Sequence, residues 1–340
     1  MKKTLCLLLC LSLCVLSGCA GRIELTLMAV CLGVDADAAG VTLTVKSPDY
    51  TGDPQAEQGG YTTLSATGPD WERAVTALME SAPVPLHFGQ RREVVIGEAA
   101  LRYLPAEELL RHIDQLPSIR SHALSAVCPG TARDWVDAQK PVIGKRLSKY
   151  LDIFLQHQET LGTLPATSLA AALRDLCGPW RDPVLAWTEG GGYALNAQGQ
   201  GTLLSPEEVQ LLRLITGESQ SCRLAHDGRY YTVSLRHGAE RRIEKSGEAP
   251  VLVLRLPVLI RYSVYENPPA PGPEEALRAA AEALLAHLQA AGCDALGFGC
   301  IAVRDCGNLL QWLQSDWPEQ YRSAAVRVGI DAAFRQQPTN

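Results

Sequence analysis

The residue with the clearest covalent chemistry is Cys19, which follows Leu16-Ser17-Gly18. Two small side chains ahead of a thiol suit a lipoprotein signal peptidase, and the thiol can then carry a diacylglyceryl thioether. Upstream, Lys2 and Lys3 form a basic start and an uncharged apolar run extends from Leu5 to Val15. That is a signal-peptide layout, and the run is too short to cross a hydrocarbon core of ~30 Å, which takes roughly 20 apolar residues. Residues 1–18 therefore read as a cleavable leader and Cys19 as the site of lipid attachment. Acyl chains, at ~0.8 kcal/mol per buried methylene, would hold the mature chain at a membrane surface.

Other residue types able to do chemistry are not arranged for it. The histidines are scattered, with no pair at HExxH spacing, and there is no GxSxG elbow or Walker loop. Gly190, Gly191 and Gly192 form a run, and Gly199 with Gly201 half-resembles a dinucleotide loop, but the third glycine and a helix start are missing, so they read as turn glycines. Cys293, Cys300 and Cys306 lack the close CxxC spacing of structural zinc sites. Export permits a disulfide, with Cys300 and Cys306 the candidate pair, and buried free thiols are the reading for the other cysteines. Glu107, Glu108, Glu207 and Glu208 fall in first helical turns, where negative charge suits the helix dipole. Trp312 and Trp317 sit at helical spacing and read as core. No catalytic residue, metal or cofactor is expected.

Removing Lys2 and Lys3 from 31 basic residues, while all 37 acidic ones stay, takes the formal charge from −6 to −8. That balance argues against a nucleic-acid partner and against binding anionic lipid by charge. A mature part of about 320 residues exceeds the usual size of one hydrophobic core, so two or three domains are expected.

The elements that would carry these residues alternate in type. Val41, Leu43 and Val45 alternate with Thr42, Thr44 and Lys46, which predicts the second strand of a hairpin whose turn holds Asp, Ala and Gly; residues 48–60 read as loop. Trp71, Val75, Leu78 and Met79 mark one face of a helix, REVVIGE a buried strand, LPAEELLRHIDQL a helix and HALSAVC a strand. From Ala132 to Cys177 the pattern is helical, with Leu147, Leu151, Phe154 and Leu155 at helix spacing. Strands around a Gly turn follow, and then Ser205-Pro206-Glu207-Glu208 forms a capping box that opens a helix. The last third is strand-rich, with a long Ala/Leu helix from Glu274 to Ala291, a Gly-rich turn, one helix around NLLQWLQSDWPEQYRS and a final strand bearing Val326, Val328 and Ile330. The expectation is an α+β fold of layered domains, with central mostly antiparallel or mixed sheets flanked by helices. The domains are placed at 19–130 (α/β), 131–200 (helical or α+β) and 201–337 (α+β).

Four segments, in order, resemble the Ger(x)C family, the lipoprotein C subunits of spore germinant receptors. HFGQRREVVIGEAAL (His87 to Leu101) resembles the family's "FFGH…vivigEelA" segment, and YALNAQGQGTLLSPEEVQLLRLITGE its block ending in "wltgk". DALGFG resembles "DifGfG", and WPEQYRSAAVRVGIDAAFR the closing strand. The chain departs from the family at Ala20-Gly21-Arg22-Ile23-Glu24, where a Trp-Asp-Arg type sequence is usual, at Gln90, where a His is usual, and in an Ala-rich C-terminal helix. The resemblance implies a non-enzymatic protein on the outer face of the inner spore membrane, of three α/β domains, assembled with membrane-embedded A and B subunits that respond to nutrients. The alternative from a different class is an extracytoplasmic solute-binding lipoprotein feeding a transporter, which needs a cleft between two lobes with a few convergent polar groups.

Overall fold

The structure is a computed structural model and describes residues 26–48, 60–89, 93–117, 122–140, 147, 157–158, 160–165, 167–178, 181–246, 249–263 and 272–337. Cys19, the expected loop over 49–59, Gln90 and the helical positions Leu151, Phe154 and Leu155 lie outside the described residues.

The first half is built on one eight-stranded sheet. Its strands are β2 (Cys31–Asp37), β3 (Gly40–Pro48), β4 (Tyr61–Gly68), β6 (Glu93–Gly97), β7 (Leu124–Cys128), β8 (Val184–Trp187), β9 (Gly192–Leu195) and β10 (Gly201–Leu204). Their spatial order is β10-β9-β8-β7-β6-β2-β3-β4. β1 (Leu27–Met28) and β5 (Leu86–His87) form a small separate parallel pair. β2, β6, β7 and β8 run parallel, and each flank is extended by antiparallel strands, β3 and β4 on one side, β9 and β10 on the other. The parallel centre has both faces covered, as parallel sheets require. On one face lie α1 (Trp71–Ser81), α2 (Ala106–Asp114) and α4 (Leu169–Cys177), which bury Leu78, Leu109, Ile113 and Ala172 against Leu32, Val94, Ile96 and Leu185. On the other lies α3 (Ala132–Ala138), whose Val136 and Ala132 meet Cys31 and Val95. Gly33 permits that approach, since a Cβ there would stand 3.1 Å from both the Ala132 carbonyl oxygen and Val136 Cγ2.

Local chemistry explains where these helices begin. Asp70, Thr131 and Ser168 each accept a backbone N–H of the first turn of α1, α3 and α4. Asp35, on β2, adds a long-range cap, accepting from Ala132 N at 2.7 Å and Arg133 N at 2.9 Å. The Trp71, Val75, Leu78, Met79 face of α1 is corrected at one end: Ala74 is buried in the core and Met79 is exposed. β4 was not expected, because Thr and Ser dominate it and its residues are only half-buried.

The second half is a five-stranded sheet of β11 (Ser221–His226), β12 (Arg229–Leu235), β13 (Glu240–Ser246), β14 (Ala249–Ser263) and β15 (Ala325–Gln337). β12 and β13 lie end to end along one edge of β14, and β15 runs parallel along the other. β14 alternates, with Leu252, Leu254, Leu256, Val258 and Ile260 buried against α6 (Pro273–Ala291) through Leu277, Ala281, Leu284 and Leu288. α5 (Pro206–Thr216) starts at the expected capping box, with Ser205 Oγ accepting Glu208 N–H and Glu208 returning to Ser205 N–H at 2.8 Å. The single helix expected around NLLQWLQSDWPEQYRS is two, α8 (Leu309–Gln314) and α9 (Trp317–Ser323), because Asp316 is left-handed at φ 46° and Pro318 forbids a continuous ladder. The Gly-rich turn leads into a further helix, α7 (Gly299–Asp305).

Mixed sheets with helices packed on them match the expected fold class. Residue 130, one expected domain boundary, lies between β7 and β8, which pair in the same sheet through Ala126↔Ala186 and Val127↔Trp187.

Candidate functional site

The β8–β10 end of the first sheet is a wall shared by both halves, and the reason is strand alternation. Leu185, Trp187, Tyr193 and Leu195 point into the first core, whereas Val184, Ala194 and Leu204 belong to the core of the second half. The tight turn between β8 and β9 uses Gly190 and Gly191 at φ 107° and 92°, so these glycines serve a turn, as their sequence suggests. At the mouth of this wall the two halves leave a cleft of about 470 Å³. It is lined from one side by Arg181, Asp182, Asn196 and Gln198, and from the other by Gly292, Asp294, Trp312, Trp317 and Tyr321.

Asp294 organises the second side. It is the acid of DALGFG, is buried, and accepts Phe298 N–H at 2.9 Å, Gly299 N–H, and Trp317 Nε1–H at 3.3 Å. That explains the motif physically: the carboxylate caps the turn into α7 and pins α9. Its backbone completes a reciprocal pair with Asp182, since Asp294 N donates to Asp182 Oδ2 at 2.7 Å and Asp182 N donates to Asp294 O at 3.1 Å. Burial pushes the Asp294 carboxyl up to about 7, against the pull of its two backbone donors, and pushes Asp182 up to about 6. Arg241, whose Nη1 bonds Leu296 O, faces Asp294, and Arg181 lines the same cleft.

Two further ties close the junction. Asn196 Oδ1 accepts from Gln198 N and Gln200 N, while its Nδ2 reaches Gln200 Oε1 at 3.2 Å and Gly292 O at 3.5 Å. Gly292 holds φ 66° at the C-terminus of α6, a left-handed position that favours glycine. Glu208 Oε1 meets His287 Nδ1 at 2.8 Å, and His287 Nε2 meets Thr202 Oγ1 at 2.8 Å. This hydroxyl, imidazole and carboxylate sequence has the order of an activated nucleophile. Here Glu208 is also the capping-box acid, so the three groups bind α6 to the start of α5 and to β10. Burial raises the Glu208 carboxyl, but the bonds from His287 and from Ser205 N–H outweigh it and leave its pKa lowered.

The residues singled out by sequence are placed unequally. Cys300 and Cys306 stand at the start and just past the end of α7 and carry free thiols, half-buried. Six residues of helix separate them by about 9 Å along the axis, beyond the Cα spacing that a disulfide spans. Cys31, Cys128, Cys222 and Cys293 are buried free thiols, and burial raises the pKa of each. Trp317 is core as expected, but it shares the cleft wall with half-buried Trp312, their ring centroids 6.3 Å apart. Asp182 carried no sequence signal, and Tyr321, although inside WPEQYRSAAVRVGIDAAFR, had nothing in its spacing to mark it as a site residue.

Comparison with known proteins gives two positive results. The crystal structure of the GerBC protein is similar, with a TM-score of 0.53 and 14% identity, covering 89% of this chain and 96% of that one. At that identity the likeness speaks to the fold. No curated protein sequence matches the chain. The family model described as the spore germination protein N-terminal domain matches residues 22–189, the stretch that contains the first sheet as far as β8. With the fold of GerBC along most of its length and this domain in its first half, the chain belongs to the Ger(x)C family of spore germination proteins.

Proposed function

We propose that this chain is the C subunit of a nutrient germinant receptor, held by lipid on Cys19 at the outer face of the inner spore membrane and without catalysis of its own. Its partners in this reading are the membrane-embedded A and B subunits, with which it assembles through exposed faces. The observation that carries the proposal is the family domain at residues 22–189, immediately after a leader and Cys19 with the chemistry of lipid attachment. The mature chain is divided, in the same proposal, into two units centred on the two sheets, 19–204 and 205–337, with β8–β10 as their common wall. Among the described residues no helix is long and apolar enough to cross a membrane, which leaves attachment to the lipid in this reading.

The test is a pull-down of the tagged protein from detergent-solubilised spore membranes, with partners identified by mass spectrometry. Recovery of the two membrane subunits is expected. The second reading, a solute-binding lipoprotein, is favoured by the cleft between the units, and recovery of a transport ATPase and permease would establish it instead. Separately, Cys19→Ala is expected to abolish metabolic lipid labelling, and normal labelling of that variant overturns the anchor.

A further inference from the structure

The polar groups of the cleft are mostly spent, and those left over define a ligand. Arg181 is neutralised, its Nε on Asp175 at 3.0 Å and its Nη1 on Glu218 at 2.7 Å. Asp294 is occupied by its three donors, and Asn196 by the turn it closes. Arg322 is turned to Gln200, at 2.9 Å. Two groups remain. Asp182 uses Oδ2 for Asp294 N–H, and among the described residues Oδ1 has no donor. Tyr321 is 1% exposed and its hydroxyl has no hydrogen-bond partner. It lies close enough to Asp294, Cys293 and Asp182 for their charges to add to the effect of burial in raising its pKa. A buried hydroxyl left unpaired keeps an uncompensated desolvation cost, so a ligand that satisfies it gains what folding gave up.

We propose that this cleft binds a small organic ammonium ion, with the charged head on Asp182 and Tyr321 and the carbon chain along Trp312 and Trp317. Asp182 Oδ1 and the Tyr321 hydroxyl oxygen can each accept a hydrogen bond, and an ammonium supplies three donors. Asp182 Oδ1 is an uncommitted acceptor carrying negative charge, and indole faces attract cations and cover alkyl chains equally well. A cleft of about 470 Å³ falls within the size of small-ligand sites. The inference goes beyond the receptor reading and is independent of which complex the chain joins.

The experiment compares n-butylammonium with n-butanol, a cation and a neutral molecule of nearly the same shape. Each is titrated against the full-length protein in detergent, by tryptophan fluorescence and calorimetry. Saturable binding of the ammonium, at least tenfold tighter than the alcohol, is expected. Asp182→Asn keeps an acceptor for Asp294 N–H and should weaken the ammonium tenfold or more. Tyr321→Phe removes only the hydroxyl and should weaken it several-fold. Circular dichroism should show both variants folded. Equal binding of the two probes would mean an uncharged slot, and absence of saturation up to tens of millimolar would mean no site; either overturns the proposal. Ammonium binding unchanged in folded Asp182→Asn also overturns it.

Discussion

Strands β6 and β14 sit at the centres of the two sheets and bury their side chains in different ways. All five residues of β6 are buried, Val94 and Ile96 in the core under α1, α2 and α4, and Val95 in the core under α3. β14 buries Leu252, Leu254, Leu256, Val258 and Ile260 beneath α6, while on the opposite face Arg255 is exposed and Val251, Val253 and Leu259 are half-buried. The difference follows from strand direction and connection. Parallel neighbours need crossovers, and those around β6 place helices on both faces, whereas β14 meets β12 and β13 antiparallel along one edge and only β15 in parallel along the other. The central strand of the first unit is thus buried on both faces, and that of the second chiefly on one.

Substitutions can break that comparison. The largest effect is expected at β6: Ile96→Ala should cost about 3 kcal/mol in urea unfolding, and Val95→Ala, facing the other way, should also cost more than about 1 kcal/mol. In β14 the same scan should alternate, with Leu254→Ala near the Ile96→Ala value and Arg255→Ala within about 0.5 kcal/mol of wild type. Equal costs at Leu254 and Arg255 would end the distinction between the strands.

The junction comes next. Asp294→Ala strands Phe298 N–H, Gly299 N–H and Trp317 Nε1–H, and a loss of about 2–3 kcal/mol is expected, with faster amide exchange confined to α7 and its approach. Exchange that rises evenly through both sheets would argue that the two units unfold as one.

A pH series sharpens the same point. Asp182 and Asp294 have folded-state pKa values raised, by burial, above the ordinary 3.8. The folded state thus holds their protons more tightly than the unfolded chain. The resulting stability is fully present below about 4 and is lost as pH rises through about 6 for Asp182 and about 7 for Asp294. The arginines stay charged throughout, so the slope belongs to buried carboxyls, and Glu93, which burial pushes up to about 8, adds to it over the same range. Thermal midpoints should fall between pH 5 and pH 8, and Asp182→Asn should flatten the lower part of that fall. A midpoint that climbs over this range in the wild type would contradict the assignment.

The smallest effect is at the cap of α5, where Ser205→Ala should cost about 1 kcal/mol. Glu208 N–H loses its acceptor in that variant, but the Glu208 carboxylate keeps Ser205 N–H and His287, so the tie to α6 should survive and be visible as unchanged His287 side-chain chemical shifts by NMR.

The amino-acid sequence alone determined the features that depend on near neighbours. The capping box at Ser205 and Glu208, the Gly292 stop, the β2–β3 hairpin and the alternating strand pattern all act over a few residues, and they could be read directly. The family segments were also legible, because a motif is itself a local string. What tertiary structure decided was partnership. Nothing in WTEGGGYALNAQGQGTLL says that its alternate residues divide between two cores, since alternation names two faces but not what covers them. Asp182 and Asp294 are 112 residues apart, and Tyr321 is farther still from Asn196. Their meeting in one cleft rests on sheet order and on the packing of α6 and α9, which no short-range pattern encodes. The same holds for DALGFG: its resemblance was visible, but that its acid is a buried cap for α7 and Trp317 became clear only when distant backbone amides and an indole were brought within hydrogen-bond reach.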